Sequence, residues 1–341
     1  MATGSGLDGQ VGFATETTWG TAVTVTRFPE FNSESLKKEV TWLEPAGLRV
    51  GTKAKRVSRI RQSRTWVSGD VELDLVTLGM GMLVKHMLGS TVTTTTLVSG
   101  SAYKQVHTPG NYVGLGLSVQ VGRPEPSGTV RPFTFAGCKV TGWEFTLEDN
   151  AYPKLKLSLD GKSETTATGL AVAAYLAGAA AFDFSQATLK LGGVVTTTAG
   201  ETSIASGVTV ATIVKSFSLS GATPMATERF GIGNAGLKAE PLENDIPTNT
   251  GSLGAEFNRT ELYDLYANNT TTALQMDLTG AAITGGNYLF SIICPAVKLK
   301  AAAPNVNGPD IVQMSTDFEV YNDETNPTIQ IKIVSTESST I

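Results

Sequence analysis

The chain has 341 residues, of which 41% are hydrophobic and 17% charged, and a formal net charge of −5. That length holds about two domains with real cores, and the apolar content excludes disorder. No run of 18 apolar residues occurs, no basic patch precedes an apolar stretch near Met1, and Cys138 and Cys294 form no paired spacing, so a helical membrane span, a signal peptide and a disulfide or zinc framework are not expected.

Residues 1–30 read as an irregular arm, with Gly12, Gly20 and Pro29 among β-prone Thr and Val. A first β unit is expected over 31–160. It opens with a strand from Phe31 to Val40 and then crosses a basic segment. Arg49, Lys53, Lys55, Arg56, Arg59, Arg61 and Arg64 supply seven positive charges with no acid among them, which leaves 19 basic against 31 acidic residues elsewhere. A strand over 71–75 leads into a helix over 76–88, where Leu75, Leu78 and Met82 have helical spacing. Gly79 and Gly81 weaken that helix. A Thr-rich hairpin, a strand after Tyr112 and a turn at Pro124 and Pro126 follow. A hairpin over 140–159 closes the unit. In it Trp143, Phe145 and Leu147 alternate with Glu144, Thr146 and Glu148, and Leu155, Leu157 and Leu159 follow Pro153.

Residues 161–212, rich in Ala, Thr and Gly, read as a linker with an extra strand at Leu189, Leu191 and Val194. A second β unit is expected over 213–336. Asn258 is placed to cap its helix, with Glu261 three residues on and an apolar stripe of Leu262, Leu265 and Tyr266. Met314, Thr316, Phe318 and Val320 then alternate with Ser315, Asp317 and Glu319. Pro327 follows, and Ile329, Ile331 and Ile333 are expected to complete a closing hairpin. Residues 337–341 form a polar tail.

The two units share landmarks in the same order. Ser33-Glu34-Ser35-Leu36 matches Ser216-Phe217-Ser218-Leu219, and Gly69, Val71, Leu73 and Leu75 match Gly251, Leu253, Ala255 and Phe257. Gly110-Asn111-Tyr112 matches Gly286-Asn287-Tyr288, and the hairpin over 140–159 matches the one over 314–334. The expected fold is therefore mainly β: two similar antiparallel β-sandwich or barrel units, each with one short flanking helix. A chain built from two copies of one sheet unit reads as a building block for a symmetric assembly.

Catalytic signatures are missing. His86 and His107 stand at no metal-ligand spacing. Gly231-Ile232-Gly233-Asn234-Ala235-Gly236 fits a dinucleotide pattern literally, but Pro241 and Pro247 oppose the helix such a site needs, so it reads as a loop. No catalytic, cofactor-binding or metal-binding residue is expected, and no cofactor. The basic segment has three readings: a nucleic-acid contact, a solvated loop, or a loop that meets an acidic surface on another copy. Sparse aromatics oppose base stacking, and the acidic remainder of the chain favours the last reading.

The opening Gly12-Phe13-Ala14-Thr15-Glu16-Thr17-Thr18-Trp19-Gly20-Thr21-Ala22-Val23 resembles the start of tail tube (major tail) proteins of long-tailed bacteriophages, those of actinobacteria above all. Phe31-Asn32-Ser33-Glu34-Ser35-Leu36, Gly47-Leu48-Arg49 and Thr250-Gly251-Ser252-Leu253 resemble the same family. The resemblance implies rings, usually six-fold, that stack into a hollow tube for DNA in the virion tail, made in the bacterial cytoplasm. It implies tape-measure and tail-terminator or tip proteins as partners, transient non-specific passage of DNA, and no membrane. A loop between early strands bridges adjacent rings in that family, and residues 49–69 hold that place. With two units per chain, a ring of three chains, a pseudo-hexamer, is favoured over six. The second unit's equivalent loop is read as Leu242 to Thr250, shorter and without basic residues. Glu144, Glu148, Asp317 and Glu319 are candidates for an acidic lumen face, since a wall that bound phosphates would slow DNA. A surface fibre or adhesin of β-sandwich units is the alternative, and an enzyme is the least expected class.

Overall fold

The computed structural model describes residues 5–89, 91–210, 213–306 and 308–339. Residues 1–4 of the expected arm, 211–212 of the expected linker and 340–341 of the expected tail lie outside them. In chain order the first half holds β1 (Gln10–Thr15), β2 (Ser33–Glu34), β3 (Lys37–Leu43), β4 (Arg61–Asp74), α1 (Met80–Leu88), β5 (Thr91–Val98), β6 (Ala102–Thr108), β7 (Leu117–Pro124), β8 (Val130–Glu148), β9 (Lys154–Gly161) and β10 (Ser163–Thr165). The second half holds β11 (Ala187–Leu191), β12 (Val194–Thr198), β13 (Glu201–Ala205), β14 (Val208–Thr209), β15 (Val214–Ala222), β16 (Thr248–Glu256), α2 (Glu261–Ala267), β17 (Thr272–Ile283), β18 (Gly286–Ala302), β19 (Gln313–Tyr321) and β20 (Gln330–Ser335).

Two four-stranded antiparallel arrays form the central layer: β3–β4–β9–β8 and β15–β16–β19–β18. They join edge to edge through β8 and β15. Period-two alternation sorts the side chains between the two faces. One row of directly opposed residues (Leu73, Leu155, Phe145, Leu219, Gly251, Phe318 and Leu299) faces the core. The adjacent row (Ser33, Glu72, Lys156, Glu144, Ser220, Thr250, Glu319 and Lys298) faces away from it.

β8 and β18 are long enough to serve two layers. The first half of β8 leaves the central layer to pair with β7 and β10, and that of β18 pairs with β17 and β20. Register shifts fall between Val140 and Gly142 and between Leu299 and Ala301, where such irregularities bend a strand. The outer layers are β1–β7–β8–β10 and β11–β17–β18–β20, the latter extended by β6 and β5. One apolar core lies between the layers, and α1 is buried in it along most of its length. The sheets are not closed into a barrel within the chain, so the sandwich is the form found.

Several expectations need correction. The arm is not irregular throughout, because Val11 and Phe13 are fully buried in β1, which pairs with β7. The closing hairpin does not form. β19 pairs with β16 and β18, whereas β20 pairs with β18 and β6, so β18 separates two strands whose alternation alone looks like a hairpin. The segment over 161–212 holds the expected extra strand as β11, and β12 starts at Val194, but it is also tied to both halves, since β10 pairs with β8 and β11 with β17. α1 starts at Met80 rather than 76, and Gly81 admits the side chain of Gln105: a Cβ there would lie 2.2 Å from its Oε1. Thr260, not Asn258, holds the cap position of α2, and Tyr266 of the expected stripe is exposed.

Gly69 and Gly251 hold matching places in β4 and β16. A Cβ on Gly69 would come within 2.5 Å of the Ser35 carbonyl oxygen, and one on Gly251 within 2.3 Å of that of Ser218. Each glycine lets the neighbouring strand approach where a side chain would block it.

Candidate assembly surfaces

The outward face of the central layer collects the four acidic candidates. Glu144 and Glu148 of β8 stand opposite Ser220 and Ser216 of β15, and Asp317 and Glu319 of β19 stand opposite Ser252 and Thr250 of β16. Asp70, Glu72, Asp74 and Glu256 share this face with fewer lysines, among them Lys37, Lys154, Lys156, Lys298 and Lys300. Lys156 lies 3.1 Å from Asp70 and Lys154 3.2 Å from Glu72. The Tyr321 hydroxyl donates to Glu319 at 2.5 Å, and with Lys300 it lowers the carboxyl's pKa. Between the acids runs a hydroxyl band, with Ser218 and Ser252 Oγ 2.9 Å apart. The face is net negative and offers no basic track for a phosphate backbone.

The basic segment is the tip of the β3–β4 hairpin. Leu48 and Val50 at the tip are each 101% exposed. Of its seven cations, Lys55 pairs with Glu44, Arg61 donates to the carbonyls of Ser58 and Ile60, and Arg64 lies 4.9 Å over the Phe230 ring. Arg49, Lys53, Arg56 and Arg59 form no ion pair among the described residues, and Trp42, Leu43 and Val57 are exposed beside them.

The connection between β15 and β16 holds the same place in the second array. It spans 223–247, so it is not shorter than the first hairpin's tip, and it carries Arg229 and Lys238. It folds down onto the first array. Lys238, 1% exposed, donates to both carboxylate oxygens of Asp160 at 2.5 Å. Lys139 donates to Glu240 at 2.7 Å and to the Tyr112 carbonyl at 2.6 Å. Glu240 also accepts from the Gly114 amide at 2.6 Å, and the Tyr112 hydroxyl lies 3.2 Å from that of Thr223. Phe230 packs edge-on to Trp66, with centroids 6.1 Å apart. The run from Gly231 to Gly236 is the turn of this clasp, and Gly236, at φ +75°, would drive a Cβ into the Ser63 carbonyl oxygen. Burial lowers the pKa of Lys139 and raises that of Asp160. Sequence reading missed this clasp. Its only local signals are Lys139 between Cys138 and Val140, and Asp160 at the end of an apolar strand.

Two strand edges of the central layer carry no strand among the described residues: the outer edge of β3 and that of the second half of β18. Unpaired edges invite another chain.

Among the described residues no cluster of His, Cys, Asp and Glu suits a metal ion. Burial pushes His86 and His107 down to about 3, and both cysteines are buried and free. No described helix is long and apolar enough to cross a membrane. A family model described as phage tail tube protein matches residues 6–320 of the chain. No curated protein matches it.

Proposed function

The chain belongs to the phage tail tube protein family, and on that premise we propose that three copies, each of two equivalent units, close one ring of the tube. The role is structural, in the virion tail: the protein assembles with itself into the tube through which DNA passes, and the tube has tail partners. The finer reading rests on one observation, the β8–β15 joint between two arrays of like strand order. We read β1–β10 as one unit and β11–β20 as the other. The open edge of β18 then meets the open edge of β3 in the next chain as β8 meets β15 within one.

The joint also supplies a stagger. The row that enters at Ser33 reaches β15 at Ser220, four residues beyond Ser216, the counterpart of Ser33. A four-residue stagger per four strands gives a tilt of about 35°, and eight strands per chain in three chains give a barrel about 45 Å across between backbones. Six chains would give about 90 Å, far wider than a DNA duplex requires. The net negative face of the central layer, with Glu144, Glu148, Asp317 and Glu319, lines the lumen in this reading, where it repels DNA rather than binding it. The tip of the β3–β4 hairpin reaches the next ring. It has no landing site within its own ring like that of the clasp, because Arg64 and Trp66, which hold Phe230, correspond to Ile246 and Thr248 in the second unit. Tape-measure and terminator or tip proteins meet the lumen and the tube ends. The chain has no catalytic task in this reading.

End-on averages of assembled tubes by electron microscopy test it. Three chains per ring with alternating unequal lobes is the expected result, and six identical chains per ring would overturn it.

A further inference from the structure

The hairpin tip needs a receptor, and the opposite rim of the same chain holds a pocket suited to it. β4 runs from the tip at Arg61 to Asp74 at that rim, level with Glu148 and Ser216. Here, beside the β8–β15 joint, a cavity of about 260 Å³ is lined by Leu147, Glu148, Asp149, Phe184, Val214 and Lys215, among others. Its lining mixes apolar residues with Thr188, Thr209 and Ser216, and two carboxylates, Glu148 and Asp149, against one lysine, Lys215, leave it net negative. Glu148 makes no ion pair among the described residues, and Asp149 meets Lys215 only at 3.4 Å. The tip offers the complementary set: the unpaired cations Arg49, Lys53, Arg56 and Arg59 beside Leu48 and Val50.

We propose that this cavity is the socket for the 44–60 tip of a second copy of the chain in the adjacent ring. The proposal rests on the tube reading above and adds to it which surface receives the hairpin. Stoichiometry agrees: each chain has one free tip, its other connection being held in the clasp, and one β8–β15 joint. Opposite charges orient the approach of the rings, and the apolar residues supply the contact that salt does not screen.

Disulfide trapping tests it. The native thiols Cys138 and Cys294 are buried, so an L48C/D149C variant carries the only accessible pair. The two sites cannot join within one chain, because β4 alone separates their ends by roughly 40 Å and a disulfide needs Cα atoms within about 7 Å. Oxidised tubes should give a non-reducing ladder in steps of one chain. L48C/T146C, with its second thiol on the outward face of the central layer, should give none. As a second arm, E148R/D149R at exposed sites should keep native rings and shorten tubes at least tenfold. Normal tubes from L48C/D149C without a ladder, an equal ladder from L48C/T146C, or full-length tubes from E148R/D149R would each overturn the socket while leaving the tube reading intact. Wild-type protein that forms no stacked rings with its tail partners would remove the tube reading, and the socket with it.

Discussion

Two connections hold the same place in the strand order and behave oppositely. The one between β3 and β4 stands away from the fold with its cations and aliphatic side chains in solvent. The one between β15 and β16 lies flat on the neighbouring array and buries a lysine against an aspartate. A buried ion pair is weak evidence of stability but costs a great deal to break, so the second connection fixes two arrays at one angle. The first contributes little to the single chain. Equivalent positions have thus been divided between holding the chain together and standing free of it.

Removing the clasp's lysine should break this comparison most sharply. Lys238→Ala leaves Asp160 charged and buried without its partner, and unfolding stability should fall by about 3–5 kcal/mol, measured by urea denaturation. Lys238→Met with Asp160→Leu should recover most of the loss. A single variant as stable as the native chain would mean that the clasp is as dispensable to the fold as the free hairpin.

The paired glycines compare the arrays directly. Gly251→Ala places a Cβ 2.3 Å from both the Ser218 oxygen and the Phe318 ring, and should cost about 3 kcal/mol by overpacking. Gly69→Ala meets the Ser35 oxygen at 2.5 Å with φ at +148°, and should cost a similar amount. A mild effect at one site and a severe one at the other would show that the arrays tolerate strain differently.

Those glycines also show what sequence made legible. Each lies in an alternating strand and could be matched to its counterpart, because alternation, turn residues and charge runs are local. The free hairpin was visible for the same reason: its seven cations are near neighbours. Strand partners were not. Met314 to Val320 and Ile329 to Ile333 alternate as hairpin strands do, and nothing in their period says that β18 lies between them. The clasp was further out of reach, since Lys238 and Asp160 stand 78 residues apart and Lys139 and Glu240 stand 101 apart. Such pairs arise from the packing of one array on another, which no periodicity records. β1 was hidden by the turn residues around a strand of six residues.

Acid should discriminate between the halves at smaller cost. Both histidines, His86 and His107, lie in the first half, and burial pushes each from 6.5 to about 3, with Lys85 nearby. A base whose folded pKa is depressed binds its proton more readily when unfolded. Stability is therefore full above pH 6.5 and falls as pH drops towards 3, by roughly 2 kcal/mol per histidine at pH 5. His86→Gln keeps a polar group near the Thr15 hydroxyl, now 2.9 Å from the ring, and should reduce the slope of stability against pH by one proton. Hydrogen exchange at pH 5 should show α1 opening before α2. An unchanged slope would mean that His86 gains its proton without unfolding.

The free hairpin should show the smallest effect on the chain and a large one on the assembly. Arg56 and Arg59 form no ion pair among the described residues, so R56E/R59E removes no internal contact and should leave the unfolding midpoint where it was. Tubes should shorten to single rings, and wild-type rings should stack more slowly as salt rises, because charges exposed before contact are screened beyond about 8 Å at physiological ionic strength. The same double reversal placed in the clasp, at Arg229 and Lys238, should do the opposite: destabilise the chain first and reach the tube only through unfolding. If R56E/R59E instead lowered the midpoint, the tip would have to lie on its own chain as the clasp does, and the division of labour between the two connections would fail.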